Sequence, residues 1–230
     1  MKLYEFFIFL LLLFKSFFLT EQVYAGESSE NVFSRIYERG AWGKDDEGHN
    51  YSGEGSTYQN NLFYIDFLEQ FIKSHQIKTI VDAGCGDWTF SKSIKWNDVQ
   101  YIGIDVVKNV IENNISQFTQ PNIKFMAADI INYDLPPSDL LLCKDVLQHL
   151  TIEDINLFLK QLHKFKYCLI TNDIANDLFE CNSQINRGKY RPLDLTKPPF
   201  NIKGITIFRY DTRVYSRIIT KEVLLITNEN

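Results

Sequence analysis

Hydrophobic and polar positions divide most of the chain into helical stretches and short apolar runs. Tyr58 to about His75 carries its apolar residues at helical spacing, which predicts an amphipathic helix with Thr57 as its N-cap. A short β-branched run, Thr79 to Val81, then predicts a buried strand. Strands and helical stretches alternate from there, and two strands end the chain. This order predicts an α/β fold, a three-layer sandwich around a mostly parallel sheet.

The later elements follow from the same patterns. The segment from Trp88 to about Lys95 is predicted to start a helix. Further strands are predicted at Tyr101 to Ile104, Ile123 to Ala127, Asp139 to Lys144, Tyr167 to Thr171, Gly204 to Tyr210 and Glu222 to Thr227, and helices at Val106 to about Phe118 and from Thr151 to about Lys164. Prolines and a glycine make residues 175–201 irregular, and so long a loop in a compact domain is usually functional.

The first 25 residues differ from the rest in hydrophobicity. Phe6 to Phe14 is an unbroken apolar run, and Val23 and Ala25 supply small residues where a signal peptidase reads. We therefore expect a cleavable secretory signal at residues 1–25, cut after Ala25, and a periplasmic or secreted protein. The alternative is an uncleaved anchor at residues 6–19, which would place the protein on a membrane.

Residues 26–57 form a separate segment ahead of the main domain, which is expected at residues 58–230. The stretch Tyr51 to Ser56 is rich in glycine and hydroxyl groups, as loops are. It is either a lid that closes over a ligand or a linker into the first helix. Trp42 favours the lid, because a lone tryptophan beside a glycine loop usually covers a surface.

Composition sets limits on the function. The chain has 230 residues, 45% of them hydrophobic, and a formal charge of −5. These values are typical of one globular domain and argue against binding nucleic acid by general charge. The four cysteines lack metal-ligand spacing, so no metal is expected.

The first strand ends in a ligand-binding pattern. Asp82 is followed by Gly84 and Gly86, and such glycines let a backbone turn tightly against a ligand. A dinucleotide fingerprint would need a third glycine at the position of Thr89. A carboxylate directly before the turn repels phosphates and attracts an ammonium group. The pattern therefore suits a ligand that carries an amine.

This pattern, acid-x-Gly-x-Gly, resembles the first motif of class I S-adenosylmethionine (SAM)-dependent methyltransferases, with Trp88 in place of their usual third glycine. The resemblance implies a Rossmann-like fold with a seven-stranded sheet, and SAM as cofactor. Gly84 and Gly86 would then pass close to the methionine part of SAM, and Asp82 would lie near its ammonium group. Asp87 and Trp88 continue the motif and belong to the predicted cofactor site.

Two further acids end the next strands. Asp105 follows the glycine turn by about 20 residues, the spacing of the acid that binds ribose hydroxyls. Its alternative role is to cap the next helix. Asp129 resembles the methyltransferase acid that reads the adenine amino group, with Ile130 covering the ring, although Asp129 is also an ordinary turn residue. Asp82, Asp105 and Asp129 end three successive strands, so a parallel sheet places them on its carboxyl edge, where such sheets bind ligands.

The stretch after the fourth strand resembles the fourth methyltransferase motif. That resemblance makes Lys144 and Asp145 face the cofactor. His149 is the best candidate for a general base, because its ordinary pKa lies near neutrality. Packing near a helix start is its alternative role. Asp145 and Asp173, at the ends of two strands, are the other catalytic candidates.

The long loop carries the candidates for acceptor binding. Arg187, Tyr190 and Arg191 suit an anionic or sugar-like acceptor, with Trp42 covering it, although a solvated basic loop is the alternative. We expect methyl transfer from SAM to a small-molecule or saccharide acceptor, and not to nucleic acid. The rivals are a non-catalytic secreted binding protein on the same fold and a nicotinamide-dependent oxidoreductase, which Thr89 and Asp82 disfavour.

Overall fold

The computed structural model describes residues 26–45, 47–174, 180–214 and 216–228. The expected secretory signal at residues 1–25 and the alternative anchor at residues 6–19 lie outside the described residues and stay predictions. Within the described ranges, no helix is both long enough and apolar enough to cross a membrane.

The α-helices of the described ranges follow the predicted order, with one addition. They are α1 (Ser29–Glu38), α2 (Tyr58–Ser74), α3 (Lys108–Phe118) and α4 (Ile152–Leu159). Helix α1 was not predicted, and the Ser28 side chain caps it by accepting from the Asn31 N–H. Helix α4 begins as predicted, because Thr151 accepts from the Asp154 N–H, but it ends before Lys164.

Within the described ranges, seven strands form one sheet, as predicted. They are β1 (Thr79–Ala83), β2 (Gln100–Asp105), β3 (Ile123–Ala127), β4 (Ser138–Lys144), β5 (Phe165–Asp173), β6 (Ile205–Val214) and β7 (Arg217–Thr227). Their spatial order is β3-β2-β1-β4-β5-β7-β6. The first five are parallel, and β7 runs antiparallel to both β5 and β6. The predicted mostly parallel, seven-stranded sheet is therefore confirmed.

Helices cover both faces of this sheet. Side chains alternate along a strand, so Leu140 and Leu141 of β4 point to opposite faces. Leu141 packs in a core that includes Phe158 of α4, whereas Leu140 packs in a core that includes Leu68 of α2. The sheet is thus the middle layer of three, as the sequence predicts.

The prediction of a helix from Trp88 to about Lys95 is wrong. Only a 3₁₀ turn at Ser91–Ser93 follows β1. Trp88 has a φ of +59°, in the left-handed region, and its buried ring packs against Phe118 and Phe125. Because a right-handed helix needs negative φ, the conformation that buries Trp88 prevents a helix from starting there.

Trp88 and Asp82 both belong to a buried hydrogen-bond chain beneath the glycine turn. The Trp88 Nε1–H donates to the Tyr101 hydroxyl at 2.9 Å, and that hydroxyl donates to Asp82 Oδ2 at 2.6 Å. Burial raises the pKa of Asp82 from its ordinary 3.8 to about 6, although the bond from Tyr101 lowers it. Asp82 is thus held from the interior of the fold.

We expect an Asp82→Asn substitution to stabilise the protein at high pH. Folding raises the pKa of Asp82 from 3.8 to about 6, so the folded protein becomes less stable as the pH rises through this range. Above about pH 6 the loss of stability stays constant. The gain should be on the order of 3 kcal/mol at pH 8 and small at pH 4. Urea unfolding at both pH values measures it.

Asp139→Asn is the matched control, with the opposite sign. Burial alone would raise the pKa of Asp139, but hydrogen bonds from the Lys78 and Thr79 N–H groups lower it. An acid of lowered pKa contributes stability above its unfolded value, so this variant should be less stable at pH 8. If the Asp82→Asn difference were the same at both pH values, buried charge would not be its cause.

Candidate active site

A cavity of about 660 Å³ lies at the carboxyl edge of the parallel strands. The ends of β1 to β5, strand β7, the segment before α2 and the long loop after β5 all contribute to its wall. Pockets of this size bind drug-sized ligands and cofactors. The cavity lies at the edge that the parallel-sheet rule predicts for a ligand site.

The glycine turn after β1 needs its glycines. Gly84 and Gly86 have φ values of +85° and +55°. A Cβ on Gly84 would lie 2.3 Å from Val146 Cγ2, and one on Gly86 would lie 2.5 Å from Ser52 Oγ. A Cβ at either position would therefore clash with a side chain of the protein itself, and both glycines line the cavity with backbone alone.

Asp105 joins the end of β2 to this turn. Its Oδ2 accepts from the Gly86 N–H and its Oδ1 from the Val107 N–H, both at 3.0 Å. Burial raises the pKa of Asp105, against the lowering by these bonds. The N-cap of α3 is Val107, so the alternative capping role of Asp105 is not the one observed. Its carboxylate lies on the cavity wall, where remaining lone pairs can accept from hydroxyl groups.

Asp129 and Ile130 line the same end of the cavity. Asp129 also acts as a turn residue, because its Oδ1 accepts from the Ile131 N–H at 3.0 Å. Both roles that the sequence left open are thus compatible. Val106 lines this end as well and was not predicted, although it directly follows Asp105.

The segment before α2 is fixed onto the glycine turn. The Ser52 N–H donates to Asp87 Oδ2 at 2.8 Å, and the Asp87 N–H donates to Ser52 Oγ at 3.0 Å. The Tyr37 hydroxyl lies 2.6 Å from the same Ser52 oxygen. Residues 52–56 and Trp42 line the cavity, which favours the lid over the linker. Asp87 lines it too, but its carboxylate is engaged by the chain itself.

The opposite end of the cavity holds a network of ion pairs. Lys221 Nζ donates to Asp145 Oδ1 at 2.7 Å and to Asp173 Oδ1 at 2.6 Å. Lys144 Nζ donates to Asp145 Oδ2 at 2.6 Å, and the Tyr190 hydroxyl donates to Asp173 Oδ2 at 2.9 Å. Lys221 was not predicted, because it lies on β7, 76 residues from Asp145.

These contacts control the charges of the network. Burial alone would raise the pKa of Asp145, but Lys144 and Lys221 hold it at about 2. Burial would lower the pKa of Lys221, yet the two carboxylates raise it overall. Asp145 also has a φ of +60°, a strained backbone for a residue with a side chain. Strain of this kind clusters at functional sites.

The surroundings of His149 determine which of its ring nitrogens carries the proton in the neutral form. Its Nδ1 lies 2.9 Å from the carbonyl oxygen of Lys189. Because a carbonyl only accepts, Nδ1 carries the proton in neutral His149, and Nε2 keeps a free lone pair. Burial lowers the pKa of His149, which favours the neutral ring at pH 7. The ring lies 5.5 Å from that of Trp42, on the cavity wall.

Four predicted site residues are absent from the cavity wall. Asp82 and Trp88 belong to the buried chain beneath the turn, so the expectation that they face a ligand is not met. Arg191 is fully buried, and its Nη1 donates to the Leu147 carbonyl at 3.3 Å.

Arg187 instead pairs with Asp154 of α4, whose two carboxylate oxygens accept from its Nε and Nη2 at 2.6 Å each. Of the three loop residues expected to hold an acceptor, Tyr190 lines the cavity, whereas Arg187 and Arg191 anchor the loop. The placement of these two arginines in the acceptor site is therefore corrected.

Comparison with known proteins agrees with this geometry. A family model described as a methyltransferase domain matches residues 80–165. A ubiquinone biosynthesis O-methyltransferase from Hydrogenovibrio crunogenus is 30% identical over 104 residues, which are 43% of this chain and 43% of that protein. The match thus spans less than half the length of this curated relative.

Solved structures share the fold. The N-methyltransferase NodS from Bradyrhizobium japonicum, crystallised with S-adenosylhomocysteine (SAH), superposes with a TM-score of 0.60 and 11% identity, over 85% of this chain and 99% of that one. Magnesium protoporphyrin IX methyltransferase from Synechocystis, with SAH bound, gives 0.53 and 13%, over 74% and 84%. Residues 80–165 therefore match a methyltransferase domain, and the chain shares the fold of solved methyltransferases, which confirms the predicted resemblance and fold.

We expect Arg187→Ala to weaken the fold and leave ligand binding unchanged. The substitution leaves the buried carboxylate of Asp154 without its bidentate partner, which should cost about 2 kcal/mol of the free energy of unfolding. The affinity for SAH should change by less than about twofold, because Arg187 is not on the cavity wall. Urea unfolding and calorimetric titration measure the two quantities.

The double variant Arg187→Ala, Asp154→Asn is the matched control. It removes the orphaned charge, so it should recover part of the lost stability. A large loss of SAH affinity in a folded Arg187→Ala protein would return this arginine to the ligand site.

Proposed function

We propose that the protein is an enzyme that transfers a methyl group from SAM to a small-molecule or saccharide acceptor. The observation that carries this proposal is one cavity with two different ends. The glycine turn, Asp105 and Asp129 form the first end, and His149 and the ion-pair network form the second. A cofactor and an acceptor bound at these ends would share one cavity.

The first end fits the cofactor. Gly84 and Gly86 line the cavity with backbone alone, and Asp105 offers a carboxylate for ribose hydroxyls. Asp129 and Ile130 would hold the adenine, with Val106 adding apolar surface. When bound, SAM supplies a methyl group on a positively charged sulfur. The residues of the chain bind and orient it, and residues 52–56 help to exclude water.

The second end supplies the groups that the acceptor needs. His149 Nε2 has a free lone pair and is the group best placed to take a proton. Asp145 and Asp173 are committed to Lys221, so their proposed role is to hold hydrogen-bond partners in place. Positioning two reactants in this way accounts for a large part of the rate in bimolecular transfers.

A small acceptor is proposed because the cavity is of limited size and both ends share it. Two relatives are named for ubiquinone biosynthesis and for magnesium protoporphyrin IX, and both names refer to small molecules. The net charge of −5 gives no reason to propose a nucleic-acid acceptor.

Calorimetric titration of the full chain with SAH tests the cofactor site. We expect micromolar affinity, and a loss of at least about tenfold in Asp105→Asn, because a neutral amide forms weaker hydrogen bonds with ribose hydroxyls than a carboxylate does. Asp66→Asn, an exposed change on α2, is the matched control and should bind like the wild type. A folded protein that does not bind SAH would favour the non-catalytic binding protein.

The pH dependence of methyl transfer tests His149. Because burial lowers its pKa, the neutral base persists below the ordinary value of 6.5. The rate with an acceptor found by screening should therefore rise with pH and level off around or below neutrality. His149→Gln should lower the rate about 100-fold, with SAH affinity unchanged. His163→Gln, an exposed change, is the control. A pH profile that persists in His149→Gln would exclude this histidine as the base.

A further inference from the structure

The second end of the cavity, which is the proposed acceptor end, has balanced charges. Its ion-pair network contains two lysines and two aspartates, and therefore no net charge: Lys144, Asp145, Asp173 and Lys221. Their side chains are 7%, 19%, 4% and 2% exposed. Salt in solution screens such buried charges poorly, so the balance matters to any ligand beside them.

Lys221 occupies the place that a cationic ligand would need. Its ammonium group bridges Asp145 and Asp173, which line the cavity from the ends of β4 and β5. Gly55 covers the network closely, since a Cβ there would lie 3.5 Å from Asp145 Oδ2 and 3.7 Å from Lys221 Nζ. The chain thus supplies its own ammonium group to the two carboxylates.

This arrangement disfavours an amine acceptor. An ammonium group entering the cavity would meet Lys221 and Lys144 as well as the carboxylates, and like charges repel strongly where the dielectric constant is low. Two carboxylates without Lys221 would attract an amine and keep it protonated, and a protonated amine has no lone pair with which to attack. A neutral hydroxyl group encounters neither problem.

His149 supports the same conclusion independently. A hydroxyl group is a weak nucleophile unless a base takes its proton. The Lys189 carbonyl holds the His149 Nδ1–H, which leaves Nε2 as a proton acceptor on the cavity wall. The base and the balanced charges together suit an alcohol or a phenol.

We infer that the acceptor is a neutral hydroxyl compound methylated on oxygen, and that Lys221 determines this specificity by neutralising Asp145 and Asp173. The inference rests on the proposed function and names its substrate class. His149 Nε2 takes the hydroxyl proton as the oxygen forms its bond to the methyl carbon. The bond from that carbon to sulfur breaks, and its electron pair stays on sulfur.

Matched probes test the inference on the full chain loaded with SAH. The pairs are benzyl alcohol with benzylamine, and methyl glucoside with its 6-amino-6-deoxy derivative, at pH 7.5, where the amines are protonated. Ligand-observed NMR measures the affinity of each probe. In at least one pair, the hydroxyl member should bind at least about tenfold more tightly. Radiolabelled methyl transfer from SAM to the same probes then reports the reaction.

Variants of Lys221 separate charge from packing. Lys221→Met leaves one negative charge in excess, so the preference should shift by about tenfold toward the amines. The double variant Lys221→Met, Asp173→Asn restores the balance and should return the preference to the hydroxyl member, which also covers the case in which the single variant does not fold. Lys203→Met removes an exposed lysine outside the cavity and should change nothing.

The outcomes distinguish this inference from the function on which it rests. A folded protein without SAH affinity would contradict the proposed function. Three results with a protein that binds SAH would overturn the inference about the acceptor. They are equal binding of both members of each pair, no binding of either member, and a preference for the amine. An unchanged preference in Lys221→Met would remove Lys221 as its cause.

Discussion

The buried pairing of Lys221 with Asp145 and Asp173 is the interaction on which one end of the cavity depends. It joins β7 to the ends of β4 and β5, and it reaches the long loop through Tyr190. Lys144 extends it to the segment before α2, because its Nζ also donates to the Gly55 carbonyl at 3.2 Å. Removing one partner of such a network leaves a charge without compensation, which typically costs about 3–5 kcal/mol. A substitution that changes the charge of one of these residues should therefore also lower the stability of the fold at this end.

The other end of the cavity, around the glycine turn, is held in a different way, by hydrogen bonds on both sides of that turn. The hydrogen-bond chain that begins at Trp88 supports it from the interior, whereas Ser52 and Asp87 bind each other across its outer side. With no α-helix directly after the turn, the buried tryptophan fills the space beneath it. Fixed backbone of this kind lets a ligand bind without first ordering the chain.

The sequence predicted the fold well where the information is local. Strand β3 has the predicted bounds, and Asp105 and Asp129 lie on the cavity wall because parallel strands that end in acids place them on one edge. The prediction from sequence failed for residues that could lie either in the site or in the interior of the fold. Trp88 was expected at the cofactor and is in the core. Arg187 was expected at the acceptor, but it donates two hydrogen bonds to the carboxylate of Asp154.

The sequence by itself determined the order of the elements, the α/β class and the edge of the sheet that carries the site. These follow from side-chain periodicity and from the few turns that glycines allow, both of which act over a few residues. Only the tertiary structure decided the partners of the buried charges, and with them the pairing of Lys221 and the nitrogen of His149 that carries the proton. A buried charge is stable only beside a compensating group, and that group can lie anywhere along the chain, as the 76 residues between Lys221 and Asp145 show.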